Sequence, residues 1–271
     1  MGEFHPFDIA TQLTKTSDFY HGHTSEAYAN MIGPFGGIVA STLLRAILEH
    51  PERLGEPGAL TINYAAPVAN GGFDIKATPT RTNRSTQHWY IELSQNKKTV
   101  ITGTAVTAER RETWSSTDIS FPNVPSVNEL KRASISAAPP WLNNYDIRII
   151  KGAPLALLQS NLNNNQNSTT LQWIQDYPKR KIDFLSLTAM CDAFFPRIWV
   201  RRKEMVPIGT VSLTIYFHAD SETLKAHGSR EVLGHTRAIK FYDGFFDQTG
   251  ELWSPDGELL ATTSQFVYYK S

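Results

Sequence analysis

Between Ile38 and Leu48 the chain carries a single charge, Arg45. A stretch so apolar around its circumference predicts a helix enclosed by other structure, since a surface helix keeps a polar face. The helix is expected over residues 36–50, opening on the pair Gly36-Gly37 and stopped by Pro51. Four runs with strand character follow, at residues 60–65, 73–81, 88–95 and 99–107. They are separated by turn formers that include Pro67, Asn70-Gly71-Gly72 and Asn96-Lys97-Lys98. The predicted unit is one central helix followed by an antiparallel meander.

The same order returns further on. Residues 109–140 shift to Ser, Pro and charge, with Pro122, Pro125, Pro139 and Pro140 breaking any long element, and read as a connection. Strands are expected at 146–150 and 170–175, separated by the Asn-rich tract 160–168, which is too polar for a packed core and predicts a mobile loop. A second apolar helix is expected over 184–195, with Asp183 as N-cap and Pro196 as its stop. Three strands, 210–218, 232–245 and 259–269, complete the pattern, the last preceded by the turn Ser254-Pro255-Asp256-Gly257.

Short matches fall at equivalent places in the two units. Leu60-Thr61-Ile62 corresponds to Leu213-Thr214-Ile215, and Glu92-Leu93 to Glu251-Leu252. Repetition of helix and meander with such matches is how an internal duplication shows in sequence. The expected division is an N-terminal lobe over 1–115, a linker over 116–140 and a C-terminal lobe over 141–271.

Charge and cysteine content narrow the function classes. Lys plus Arg equals Asp plus Glu at 26 each, so there is no basic field to draw nucleic acid. Cys191 is the sole cysteine, which excludes an intramolecular disulfide, disfavours a thiolate zinc site and fits a reducing compartment. No segment approaches the ~20 apolar residues of a membrane span, and residues 1–20 lack a signal-peptide core. The closing Tyr269-Lys270-Ser271 differs from the Ser-Lys-Leu peroxisomal address. A cytoplasmic protein without a membrane span is expected.

Asp192 is the only charge between Phe184 and Phe195. Burying a carboxylate there is costly unless it is paired, and the end of a helix is where the macrodipole disfavours an anion. Local stability does not account for it, so a functional role competes with that of a buried Asp satisfied by an Arg or by hydroxyls. Gly36-Gly37 exposes backbone N–H groups at a positive helix end, able to hold an oxyanion or phosphate, although paired glycines also serve close packing. Gln265 shares a strand face with Leu259, Ala261, Thr263 and Val267, where it can orient a water or cross-link strands. Thr210, by alternation, shares a face with Ser212 and Thr214 and reads as an ordinary strand threonine. No serine has glycines on both sides at two residues' distance, and Cys191 in an apolar helix reads as structural. His21 and His23 lack a clear third ligand, and no phosphate-binding loop or dinucleotide fingerprint occurs.

These residues stand in an order that resembles the acyl-CoA thioesterase II family, in which two hotdog folds are fused. The first half resembles it through Gly33-Pro34-Phe35-Gly36-Gly37-Ile38-Val39-Ala40 and Leu43-Leu44-Arg45-Ala46. The second half does so through Leu187-Thr188-Ala189-Met190-Cys191-Asp192, Tyr216-Phe217-His218 and Asp256-Gly257-Glu258-Leu259-Leu260-Ala261-Thr262-Thr263-Ser264-Gln265. The resemblance implies an α+β double hotdog of two tandem helix-wrapped antiparallel sheets. It implies that Asp192, Thr210 and Gln265 hold a water that hydrolyses an acyl thioester to free acid and CoA.

In the implied chemistry, backbone N–H groups of Gly36 and Gly37 would steady the oxyanion, and no metal, cofactor or covalent intermediate is needed. The family's usual Asp-His pair shortly after the strand threonine is replaced by Ser212-Leu213, a departure that bears on substrate choice or activity. Two alternatives follow: an acyl-thioester-binding protein without hydrolysis, and an enzyme that releases acyl chains from a carrier protein. A homo-oligomer is expected, because hotdog sheet edges commonly pair between subunits.

Overall fold

The computed structural model describes residues 4–134, 138–154, 167–202 and 204–270. The first half runs α1 (Pro6–Ala10), β1 (Thr14–Lys15), β2 (Tyr20–His23), α2 (Gly36–Leu48), β3 (Glu56–Tyr64), β4 (Gly72–Thr82), β5 (Thr86–Gln95) and β6 (Lys98–Ala108). The second half opens with β7 (Tyr145–Lys151), β8 (Thr170–Asp176), α3 (Phe184–Met190) and α4 (Arg197–Arg202). It closes with β9 (Ile208–Phe217), α5 (Ser221–His227), β10 (Val232–Arg237), β11 (Phe241–Tyr242), β12 (Phe245–Trp253) and β13 (Leu259–Tyr269).

Twelve of the strands form one antiparallel sheet in the order β1-β2-β4-β5-β6-β3-β9-β13-β12-β10-β8-β7, with β11 paired to β12. Read outward from the β3–β9 seam, both halves repeat one order, as a duplicated hotdog requires. The seam runs antiparallel through the residues that matched in sequence: Leu60 opposes Ile215, Thr61 opposes Thr214 and Ile62 opposes Leu213. The hydroxyls of Thr61 and Thr214 meet at 3.1 Å, so a pseudo-twofold axis passes between two copies of the same threonine. The second match also holds in register, because Leu93 opposes Ile101 on β6 and Leu252 opposes Ala261, its counterpart on β13. Arg110 ties the seam by donating to the carbonyls of Pro57, Phe217 and His218.

The sheet wraps α2 and α3, which pack on each other. Ala40, Leu43, Leu44, Ala46 and Ile47 of α2 are wholly buried, in keeping with the helix's lack of a polar face. The two helices approach so closely that a Cβ on Gly37 would lie 2.7 Å from the Ala189 carbonyl. One turn further along the same contact, the Ser41 hydroxyl donates to the carbonyl of Leu185 at 2.7 Å. Among the described residues no helix is long and apolar enough to cross a membrane.

Three expectations are corrected. The second apolar helix ends at Met190 rather than at residue 195. The chain then turns, with Phe194 N–H donating to the Asp192 carbonyl, and starts the separate helix α4 after Pro196. The strand expected over 232–245 is broken into β10, β11 and the start of β12. Its break is a tight hairpin at Asp243 and Gly244, with φ of 46° and 79°, the left-handed geometry that an Asp-Gly pair supplies. Thr210 does not share the face of Ser212 and Thr214: the register opposes Phe266 to Ser212 but Val267 to Thr210, leaving Val211 as a bulge. Of the Asn-rich tract, residues 160–166 lie outside the described residues.

Candidate active site

Asp192 is placed by the turn that ends α3. Its own N–H donates to Ala189 O at 3.1 Å, and Gln172 of β8 holds the turn from beneath by donating to Ala193 O at 2.8 Å. The end of α3 disfavours an anion, but the carboxylate abuts the first turn of α2, whose unpaired N–H groups and positive dipole favour one. A Cβ on Gly36 would lie 2.7 Å from Asp192 Oδ2, so only glycine leaves room for the carboxylate there.

Gln265 reaches across from β13 and donates from Nε2 to Asp192 Oδ1 at 2.8 Å. Desolvation raises the Asp192 carboxyl to about 7, opposed by the hydrogen bond from Gln265 and by the Gly37 backbone amide. The guanidinium partner that would make this a purely structural aspartate is missing among the described residues, and no cation contributes to the shift. A carboxyl that ionises near neutrality beside an amide is suited to accept a proton from water.

The group opens on a cavity of about 880 Å³ lined by Asp192, Thr210 and Gln265 together. The bulge at Val211 explains the presence of Thr210, because the extra residue reverses the alternation and turns Thr210 to the face of Val267 and Gln265. Among the described residues no hydrogen bond joins its hydroxyl to either partner. The rest of the wall is mainly apolar and aromatic, including Phe35 stacked on Trp141 at 4.2 Å, and among the described residues it holds no Lys, Arg or His. Leu213, of the pair Ser212-Leu213, is fully buried opposite Gln265 on the neighbouring strand.

Sequence reasoning missed two polar groups in this wall. Tyr64 donates its hydroxyl to Gly36 O at 2.9 Å, bracing the first turn of α2. Burial, and then the Asp192 charge, hold its phenol well above the ordinary value. Gln248, on β12 opposite Gln265, also lines the cavity; it lay between the expected strands. Placing the Asp243-Gly244 hairpin correctly would have put it on the inward face with Phe246 and Leu252.

The pseudo-twofold allows a direct check for a second site. Leu60 pairs with Ala105 where Leu213 pairs with Gln265, and Pro57 stands before a matching bulge at Gly58 where Thr210 stands before Val211. The related position therefore has neither the amide nor the hydroxyl, and among the described residues the Asp192 arrangement occurs on one side of the seam only.

Comparison with known proteins agrees with this architecture. Residues 25–108 match a family described as the acyl-CoA thioesterase N-terminal domain, and residues 118–269 match the acyl-CoA thioesterase C-terminal domain. A solved protein of unknown function with a hot dog fold from Alicyclobacillus acidocaldarius is 47% identical, with 99% of each chain covered and a TM-score of 0.95. A putative thioesterase II from Thermobifida fusca is 20% identical over 100% of both chains, with a TM-score of 0.85. An acyl-CoA thioesterase II from Mycobacterium marinum is 15% identical over 97% of this chain and 98% of its own, with a TM-score of 0.77. No curated protein matches the chain. The last two structures share its fold.

Proposed function

Because the chain belongs to the acyl-CoA thioesterase family, we propose that it hydrolyses acyl-CoA to free acid and CoA with a water activated by Asp192. The observation that carries this reading is the Asp192–Gln265 pair, with its carboxyl raised to about 7, opening on a large apolar cavity. Asp192 takes a proton from water as the water oxygen attacks the thioester carbonyl. Gln265 holds Asp192 through its N–H, which leaves its amide oxygen to accept from the same water. Thr210 supplies a further hydroxyl to the cavity, and the three polar groups fix the direction of attack.

With the Gly37 amide turned to Asp192, the N–H of Gly36 at the positive end of α2 is the donor for the oxyanion. Collapse of the tetrahedral species breaks the C–S bond, and the proton held by Asp192 passes to the CoA sulfur. Every proton taken up is returned. The apolar walls receive the acyl group.

The test is thiol release across a panel of acyl-CoAs and carrier-bound acyl chains. Asp192 must be deprotonated to act, so kcat/KM should fall about tenfold per pH unit below about 7 and level off above it. A flat profile from pH 5 to 8, or absence of thiol release from every thioester, rejects the proposal. Thr210→Val should lower kcat by less than the loss of Asp192, because its hydroxyl makes no bond to the carboxylate; steady-state kinetics of the two variants decide this.

A further inference from the structure

The hydrolytic reading leaves Gln248 of the cavity wall, and the arginine behind it, unused. Arg197, at the start of α4, is fully buried, and desolvation lowers its guanidinium to about 9. It meets no carboxylate among the described residues. Its N–H groups donate instead to the carbonyls of Phe195 and Ser168, to the Thr170 hydroxyl and, from Nε at 3.0 Å, to Gln248 Oε1. An arginine only donates, so Gln248 must give it the amide oxygen and keep its NH2 end for something else.

Gln248 is 2% exposed and lines the cavity, and no acceptor for its NH2 is found among the described residues. The NH2 end is not sealed inside the protein but borders the cavity, where a ligand oxygen can accept from it. Accepting from a cation also polarises the amide and makes its N–H groups better donors. The position is telling, because Gln248 is the direct cross-strand partner of Gln265. Opposed residues of an antiparallel pair stand about 5 Å apart, so this donor enters the cavity beside the Gln265 amide that meets Asp192.

We propose that Gln248, clamped by Arg197, is a specificity-determining donor that recognises an acceptor oxygen on the acyl group close to the thioester, so that oxo- or hydroxyacyl thioesters are preferred over plain alkanoyl ones. The inference rests on the hydrolase reading for its substrate but is measured separately, through binding.

The experiment uses CoA thioesters of one chain length with and without an oxo or hydroxyl group at carbon 3. Wild-type kcat/KM should favour the oxygenated member by about tenfold, the scale of one buried hydrogen bond. Gln248→Glu keeps an oxygen for Arg197 and adds a counterion, but removes the donor; its ratio should fall to one or below. Gln248→Leu should bring the ratio to about one by a different route. Calorimetric binding of both thioesters to the Asp192→Asn protein gives the same ratio without turnover. Equal use and equal binding of the pair by the parent, or a ratio unchanged in Gln248→Glu, overturns the inference while leaving the hydrolase reading intact. A preserved binding ratio in a parent that hydrolyses neither thioester upholds the recognition and rejects the hydrolase. Failure to bind either thioester overturns both.

Discussion

Asp192→Asn is expected to lower kcat at least ~10³-fold while the protein stays folded, since a positioned general base contributes up to ~10⁴ and water has no other acceptor of comparable basicity in the wall. Asn is nearly isosteric, and its side chain can still meet Gln265 and the Gly37 amide. The same substitution should alter stability with a definite sign. The folded carboxyl sits at about 7 against an ordinary 3.8, so the folded state holds the proton more tightly than the unfolded chain. Stability therefore falls as pH rises from about 4 to about 7 and is flat beyond that.

Asn carries no such loss, and the variant should be the more stable protein at pH 8 by up to ~4 kcal/mol, with the gap closing at pH 4. Asp176, buried and also raised to about 7, remains in the variant, so the pH slope of stability should shrink rather than vanish. Denaturant melts at the two pH values, beside thiol-release assays, read both effects. Near-parental turnover in the variant would remove Asp192 from the chemistry.

Gly36→Ala should be the second most damaging change, although it adds one methyl group. The new Cβ would stand 2.7 Å from Asp192 Oδ2 and 3.4 Å from the Tyr64 hydroxyl. The carboxylate is the end of a short side chain, held on its other oxygen by Gln265, and has to move. A displacement of that kind is worth ~10² in rate even when every group is still present. Helix propensity changes in the opposite sense, because Ala is favoured over Gly by ~1 kcal/mol inside a helix. The expected signature is a loss of kcat of about a hundredfold with little change in melting temperature. Equal kcat for variant and parent would show that Asp192 does not lie against α2 in the working enzyme.

The fold was largely legible because its elements announce themselves locally. A helix with one charge in its length must be enclosed, and residues 60–65, 73–81, 88–95 and 99–107 lie within the observed β3 to β6 apart from Ala65. The failures have local causes too. Asp192 is expected in a helix but sits in a turn, and the pattern misleads because the apolar residues flanking it, Cys191 and 193–195, look the same in a helix or a buried loop. The hairpin at Asp243-Gly244 is legible as an Asp-Gly turn, and it divides the run that strand propensity alone extends over 232–245. The short elements α1, β1, β2, α4 and α5 owe their existence to docking on neighbours rather than to any periodicity of their own.

By itself the chain determined that two helix-and-meander units repeat, that an aspartate lies without local compensation at the end of the second apolar helix, and that an amide interrupts the inward face of the last strand. These are statements about neighbours in sequence, and alternation and helical period are enough to make them. Tertiary structure decided the rest: that the positive end of α2 meets the negative end of α3 at Asp192, that a bulge at Val211 turns Thr210 inward, and that Gln248 stands beside Gln265 with its oxygen held by Arg197. Each of these joins residues from distant segments, and its energy lies in desolvation and register. Neither exists until the sheet has closed around the helices.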